Sequence, residues 1–425
     1  MSAMSDDAAT ATGVTPLTWP ERRFYLRLGT PALGMALVVT VVSTYLPVLV
    51  EQASGPVLVG VLIGAEGFFG IFVPAIIGAW ADRTSTRVRD RVPFLLACAA
   101  AVVVAMTTVG VVAALGGRSF AVFVGVLVVL YAGYYGFLAP HWSLYPDLVP
   151  DEHSGRSRSF EGTLRVIGTG LALVGGGLLL DVWVALPFLA AALVAAVCVG
   201  VLITALRSRF DEPVERDESG RSSWQANVAL LRDRGIRTMC LCEGLWNFAL
   251  AALRAFVVLF FTVGLDRSST FVSTVIFPLV AIGIAVAAPF AGGVADRHGY
   301  VRVLVAASAI YAAGMVLPAF TASAWVIVAI PLVAAGAATV MTIPFAVLMR
   351  MLPAEGHGAA SGLFGFSRGL GSTLGPVVAG VVVVLTADNV FESTEGYASM
   401  WLVCSAALLL AVPLMWSLRD DERVR

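Results

Sequence analysis

A chain of 425 residues with 59% hydrophobic and only 13% charged side chains, and a mean hydropathy of +0.89, is too apolar for a water-soluble domain, in which about 25% of residues are charged. The formal net charge is −1 and all 27 basic residues are arginines. Without lysine there is no phosphate-binding loop of the Gly-x-x-x-x-Gly-Lys-Ser/Thr kind, which excludes ATP-driven transport by this chain alone; no metal-ligand cluster or nucleophile constellation stands out either, so neither an enzyme, a cofactor nor a nucleic-acid partner is expected.

Residues 1–26 read as a cytoplasmic tail, and the first 19 lack the basic and apolar stretches of a cleaved signal. Twelve runs long enough to span a bilayer follow, at roughly 27–50, 56–81, 93–115, 119–146, 160–182, 184–206, 237–262, 270–294, 302–322, 324–349, 359–386 and 397–417. Backbone groups in hydrocarbon must be satisfied internally, and runs this long and continuous are helices rather than barrel strands. The expected fold is an all-α membrane protein of 12 transmembrane helices. A hydrophilic interruption at 207–236 divides it into two six-helix bundles, 27–206 and 237–418, before a short tail at 419–425. Threading the chain with its N-terminus inside puts 22 of the 27 arginines in cytoplasmic segments, a positive-inside bias that places both termini and the central loop in the cytoplasm of a cell-membrane protein.

Glu66 lies about ten residues into the second helix, some 15 Å along it and near the midplane. A charge at that depth costs at least about 2.5–3.5 kcal/mol and normally faces a cavity or a partner, which suits a proton carrier. The plainer alternative is a packing hydrogen bond among Gly60, Gly64, Gly67 and Gly70. The helix closes on GAWADRTSTRVRDRVPF, which holds Gly78, Asp82, Arg83, Arg87, Arg89 and Arg91, and a shorter copy at 292–297 holds Gly292, Asp296 and Arg297. A carboxylate at a helix end can pair with arginines of a neighbouring end and latch one conformation; otherwise these charges only set topology.

The fourth helix carries Tyr131, Tyr135 and Trp142 on one face and Tyr134, His141 and Tyr145 on the adjacent one. Rings with polar tips suit sugars and amphipathic molecules alike, and His141 alone among the histidines could titrate within the helical region. The segment 148–168 aligns without gaps to 351–371, pairing Pro150 with Pro353, Gly162 with Gly365, Arg165 with Arg368 and Gly168 with Gly371. Arg165 has Glu161 one turn before it and so a local ion pair in reach. Arg368 has Phe364 there, which makes it the stronger candidate for gripping substrate. In the seventh helix Glu243, Asn247 and Arg254 fall within about 40° of one another, and Trp246 could offer a ring to a sugar. Glu243 and Arg254 are roughly 16 Å apart along the axis, too far to pair, so each needs another partner.

Two parallel six-helix repeats are a layout of rocker-switch transporters. The loop of Gly78, Asp82, Arg83, Arg87 and Arg91 resembles the signature between helices 2 and 3 of the major facilitator superfamily, over essentially the whole chain, and the spacing through Pro93-Phe94 is similar to sucrose and glycoside cation symporters. The resemblance implies secondary active, cation-coupled transport of a small-molecule substrate in the lipid bilayer; a single Glu66, where two clustered carboxylates on one helix would favour Na⁺, points to H⁺, and a monomer with no metal is expected. Glu66 and Glu243 are the coupling candidates. Helix 11 carries GSTLGPVVAG at 371–380, similar to a motif that exporters of the superfamily carry in helix 5. Three functions are therefore weighed: cation-coupled uptake of a sugar or glycoside, proton-driven export of a small amphipathic compound, and a receptor or assembly factor on the same fold.

Overall fold

The computed structural model describes residues 17–116, 119–213, 230–321, 324–351, 357–421 and 423. Among them twelve helical segments are long and apolar enough to cross a bilayer: α1 Trp19–Glu51, α2 Gly55–Gly78, α3 Val88–Ala114, α4 Phe120–Leu148, α5 Ser154–Val182, α6 Leu186–Arg209, α7 Arg234–Gly264, α8 Ser269–His298, α9 Tyr300–Phe320, α10 Ile327–Arg350, α11 Gly362–Ala387 and α12 Ser399–Trp416. They form two six-helix bundles, α1–α6 and α7–α12. The first helix starts two turns before the expected position, because Glu21 reaches back to the Thr18 amide at 2.7 Å and Pro20 occupies the first turn. From there one helical path runs to Thr84, broken only at Gly55, whose φ of 75° ends α1 and lets Pro56 open α2. The central loop lies largely outside the described residues.

The internal repeat is visible in the packing. A Cβ added to Gly168 of α5 would collide with the Leu33 carbonyl of α1, and one added to the equivalent Gly371 of α11 would collide with the Gly244 carbonyl of α7. Each bundle thus seats its fifth helix on its first through a glycine, the close approach that small residues permit in hydrocarbon.

At the end of the molecule that carries the chain termini, the last described residue ties the tail to α7. Asp233 caps that helix through the Gly235 and Ile236 amides at 2.8 and 3.1 Å. It also receives the Arg423 guanidinium at 2.9 and 3.2 Å. Arg423, and after it the two amides, hold the Asp233 carboxyl below the usual aspartate range. A carboxyl lowered in this way contributes binding that is complete above the ordinary value of about 3.9 and lost as pH falls through the lowered one. A spin label at Asp420 is therefore expected to be immobile at neutral pH and to become mobile only below about pH 4. Release at neutral pH by Asp233→Asn would match; indifference to both acid and that substitution would remove Asp233 as the anchor.

Candidate functional site

Two carboxylate–arginine pairs sit at different depths along α7. The deeper one, measured from the termini, joins the bundles: Glu66 of α2 lies 3.8 Å from Arg254 of α7, and the same guanidinium donates to the Ser43 hydroxyl of α1 at 2.9 Å. Tyr135 of α4 donates to Glu66 at 3.4 Å. A small cavity between the bundles is lined here by Ser43, Ile63, Glu66, Ala251, Arg254 and Ser372. The second pair lies within the α7–α12 bundle. Glu243, 1% exposed, accepts from Arg368 of α11 at 3.2 Å and from Asn247 at 2.7 Å, while the Arg368 side chain stays half exposed. The shared face of Glu243, Asn247 and Arg254 thus exists, and the partners that α7 could not supply come from α2 and α11.

Arg165 keeps to its own helix, donating to Glu161 at 2.6 Å, with Arg158 on the other carboxylate oxygen at 2.9 Å and the Trp142 indole at 3.1 Å. Gly168 on Leu33 matches Gly371 on Gly244, so Ala32 stands where Glu243 would be in the first bundle. The repeat therefore conserves the arginine and moves its carboxylate from α7 in one bundle to α5 in the other.

Two candidates, Trp246 and His141, sit away from these pairs, and a third, Tyr131, lies within electrostatic reach of Glu66 and Arg254. Trp246 is fully buried and donates to Ser308 of α9 at 2.9 Å, so its ring fills the bundle core. His141 is buried with Nε2 2.9 Å from the Leu28 carbonyl of α1 and its ring stacked on Phe137. Tyr131 packs on Phe69 at 6.0 Å, its buried hydroxyl unpaired. For Trp246 and His141 the helical spacing was consistent with either face, and packing against a neighbouring helix decided it.

At the end away from the termini the bundles are closed against each other. Cβ atoms on Gly60, Gly64 and Gly67 of α2 would collide with the carbonyls of Pro376, Thr373 and Gly369 of α11. The Asp181 carboxylate, at the last turn of α5, accepts from the Ser269 hydroxyl and from the Thr270 hydroxyl and amide, the last at 3.0 Å, where α8 begins. Tyr45 of α1 bonds Ser273 of α8 at 2.9 Å. Sequence reasoning missed Asp181, since an acidic residue at an apolar helix end looks interfacial and nothing local links it to residue 269. Gly375 lies on the Phe248 carbonyl, a packing role for the Gly-Pro step of α11.

The loop signatures bind within their own bundles. Arg91 is buried on Asp147 at the end of α4, and Arg87 pairs with Asp211 after α6 at 3.3 Å. Asp296 receives the Tyr300 hydroxyl and lies 3.6 Å from Arg350. Asp147 and Arg350 are equivalent positions of the repeat, but their partners are not, since Asp296 corresponds to Asp82 rather than to Arg91. A Cβ on Gly78 would touch Ala139 and one on Gly292 would meet nothing, and Arg297 is exposed. The side chains of Asp82 and Arg83 lie outside the described residues.

Removing one partner of a fully buried pair costs roughly 3–5 kcal/mol; with Arg368 half exposed, Arg368→Met is expected to destabilise the protein by about 2 kcal/mol. Glu243→Gln keeps an acceptor for Asn247 and should cost less. The double variant should recover part of the loss in thermal unfolding. Strictly additive effects would mean that the pair contributes nothing.

The family model described as Major Facilitator Superfamily matches residues 262–425. No curated protein matches the chain. Among solved structures it is similar to a mutant of the nucleoside transporter NupG, at 14% identity over 93% of this chain and 100% of that one with a TM-score of 0.74. A bacterial homolog of the human lysosomal transporter Spinster, described as inward-facing and occupied, superposes at 0.75 with 16% identity over 96% and 99% of the two chains. A D-xylose-proton symporter gives 0.68 at 14% identity over 93% and 96%. The architecture shared with them is the major facilitator fold.

Proposed function

We propose that the chain is a secondary active transporter of the major facilitator superfamily, importing a neutral sugar- or glycoside-like molecule with protons by alternating access between the two bundles. The observation that carries this reading is the Glu66–Arg254 contact, because it joins the bundles at mid-depth and would be altered by a single proton. Protonated Glu66 no longer attracts Arg254, so the proton changes the balance between bundle arrangements, and only a differential interaction of that kind can couple an ion to a conformational change. Intramembrane charges so placed are of no evident use to a receptor or assembly factor.

The chemistry around the pair favours an uncharged substrate. Arg254 is matched by Glu66 and Arg368 by Glu243, so an anion would have to displace a carboxylate, whereas hydroxyl groups could bond Ser43, Ser372 and Tyr135 without disturbing either pair. The likeness to a D-xylose-proton symporter and the loop resemblance to sucrose and glycoside symporters support the same class. With the arginine-rich termini cytoplasmic in the plasma membrane, the closed end faces outward. The monomer suffices, since both pairs lie within one chain.

The test is counterflow of sugars and glycosides by purified protein in proteoliposomes, with internal pH followed when substrate is added outside. Acidification of the lumen with substrate uptake is expected. Substrate leaving as protons enter would make the protein an exporter, and failure of every compound to exchange would overturn transport of this class.

A further inference from the structure

We infer that the start of α8 is a register switch: a single π-helical turn aims the helix end at the opposite bundle while the bundles touch, and relaxes to α geometry when they part. Residues Val272–Ile276 form that turn, and the Phe277 amide donates to the Val272 carbonyl, five residues back rather than four. Such turns are rare, occur singly inside α-helices and are frequent at functional sites. Across the corner α7 ends on a second one, Phe260–Gly264. Between them Asp266 has a φ of 49°, a region that residues other than glycine seldom adopt.

Helix geometry shows what the turn accomplishes. Were α8 regular from its first residue, Ser269 would lie within about 40° of Gly283, 14 positions on. Gly283 faces its own bundle, since a Cβ there would collide with the Pro331 carbonyl of α10. Ser269 would then point back into that bundle. Instead its hydroxyl sits between the Asp181 carboxylate and the Gly177 carbonyl of α5. A π-turn takes up one extra residue and so swings everything before it by about 100°, enough to carry Ser269 from one bundle to the other. Among the described residues, the side-chain polar bonds that 269–276 make beyond their own helix all run to the opposite bundle. Ser269 and Thr270 meet Asp181, and Ser273, inside the π-turn, meets Tyr45 of α1 at 2.9 Å. The grip and the turn therefore go together. Once the grip is lost the turn closes up to α geometry, and Ser269 and Thr270 rotate off Asp181 while Gly283 stays seated on α10.

The rival account is that α8 swings as a rigid rod, and the two differ in the phase of the helix. Full-length, cysteine-free protein in proteoliposomes carries one nitroxide at a time at each position from 268 to 282 other than Ser269, Thr270 and Ser273, and collision with lipid-dissolved oxygen is read with and without Asp181→Ala. With Asp181 present, positions before the π-turn should run about 100° out of phase with those after it. In Asp181→Ala protein, where labels at Leu115 and Val390 should lie farther apart, both stretches should fall into one α period. A longer distance with the offset intact would overturn the inference, and so would an end that stays closed, because the turn would then persist without its grip. Deleting Thr274, exposed within the π-turn, supplies a second test: one residue fewer in plain α geometry leaves Ser269 aimed where it now points. The deletion variant should keep the short distance even with Asp181→Ala added, and opening of that variant would overturn the switch. Should the deletion prevent folding, the scan decides alone. Neither readout uses substrate or a proton gradient, so the switch can fail while the transport reading stands.

Discussion

Glu66→Gln protein is expected to exchange substrate across proteoliposomes at close to the wild-type rate while losing all accumulation driven by a proton gradient. Two charges about 4 Å apart attract by about 4 kcal/mol at an effective dielectric of 20, and water reaching the partly exposed Arg254 makes this an upper bound on what the 3.8 Å contact contributes. Even half of it would shift a two-state equilibrium about thirtyfold. Glutamine mimics only the protonated side chain, so the bundles can still rock with substrate aboard, yet no proton is bound or released to bias them. Tyr135→Phe removes only a 3.4 Å bond to the same carboxylate and should have a much smaller effect. Arg254→Gln should also uncouple, because a proton on Glu66 then has no opposing charge to release. Full proton-driven accumulation by Glu66→Gln would move the coupling step to Glu243, the buried carboxylate paired with Arg368.

The residues behind that expectation were legible in the sequence to different degrees. Helix number and the twofold repeat follow from apolar run length and from the match of 148–168 to 351–371, both local properties of the chain. That Glu243 and Arg254 need separate partners follows from helix geometry alone. Which partners they find does not: Glu66 and Arg368 lie 188 and 125 positions away in sequence from the residues they meet, and only packing brings them together. Arg165 was the opposite case, since its carboxylate lies one turn away and the pair could be read directly. Trp246 illustrates the remaining loss. It neighbours Asn247 in sequence but lies about 100° around the helix from it, and a helix with apolar neighbours on several sides gives an indole no preferred direction until Ser308 offers it an acceptor.

Asp181→Ala is expected to open the end of the protein away from the chain termini, the outer end in the proposed topology. The carboxylate accepts from three donors at the start of α8, combining a helix cap, worth about 1 kcal/mol, with a negative charge at a helix N-terminus, worth about 0.3–1 kcal/mol and more when partly buried. The cap and the helix belong to different bundles, so the whole contribution is present only while the outer ends touch. Losing about 2 kcal/mol from one state and nothing from the other changes their ratio roughly thirtyfold. Asp181→Asn retains an acceptor without the charge and should fall between wild type and alanine. An independent route to the same end is Gly177→Val: a Cβ there would overlap the Ser273 hydroxyl and crowd the Ser269 carbonyl, so the side chain wedges α5 from α8 whatever happens at Asp181. Spin labels at Leu115 and Val390, both exposed at the outer end and one on each bundle, report the opening as a longer interspin distance in a cysteine-free background. Counterflow should slow in both variants, because a protein held open on one side completes the cycle less often. Should both keep the wild-type distance distribution, the contacts of Asp181 and Gly177 would be packing that travels with α5 and α8, and the outer closure would have to be sought in the α2–α11 glycine contacts instead.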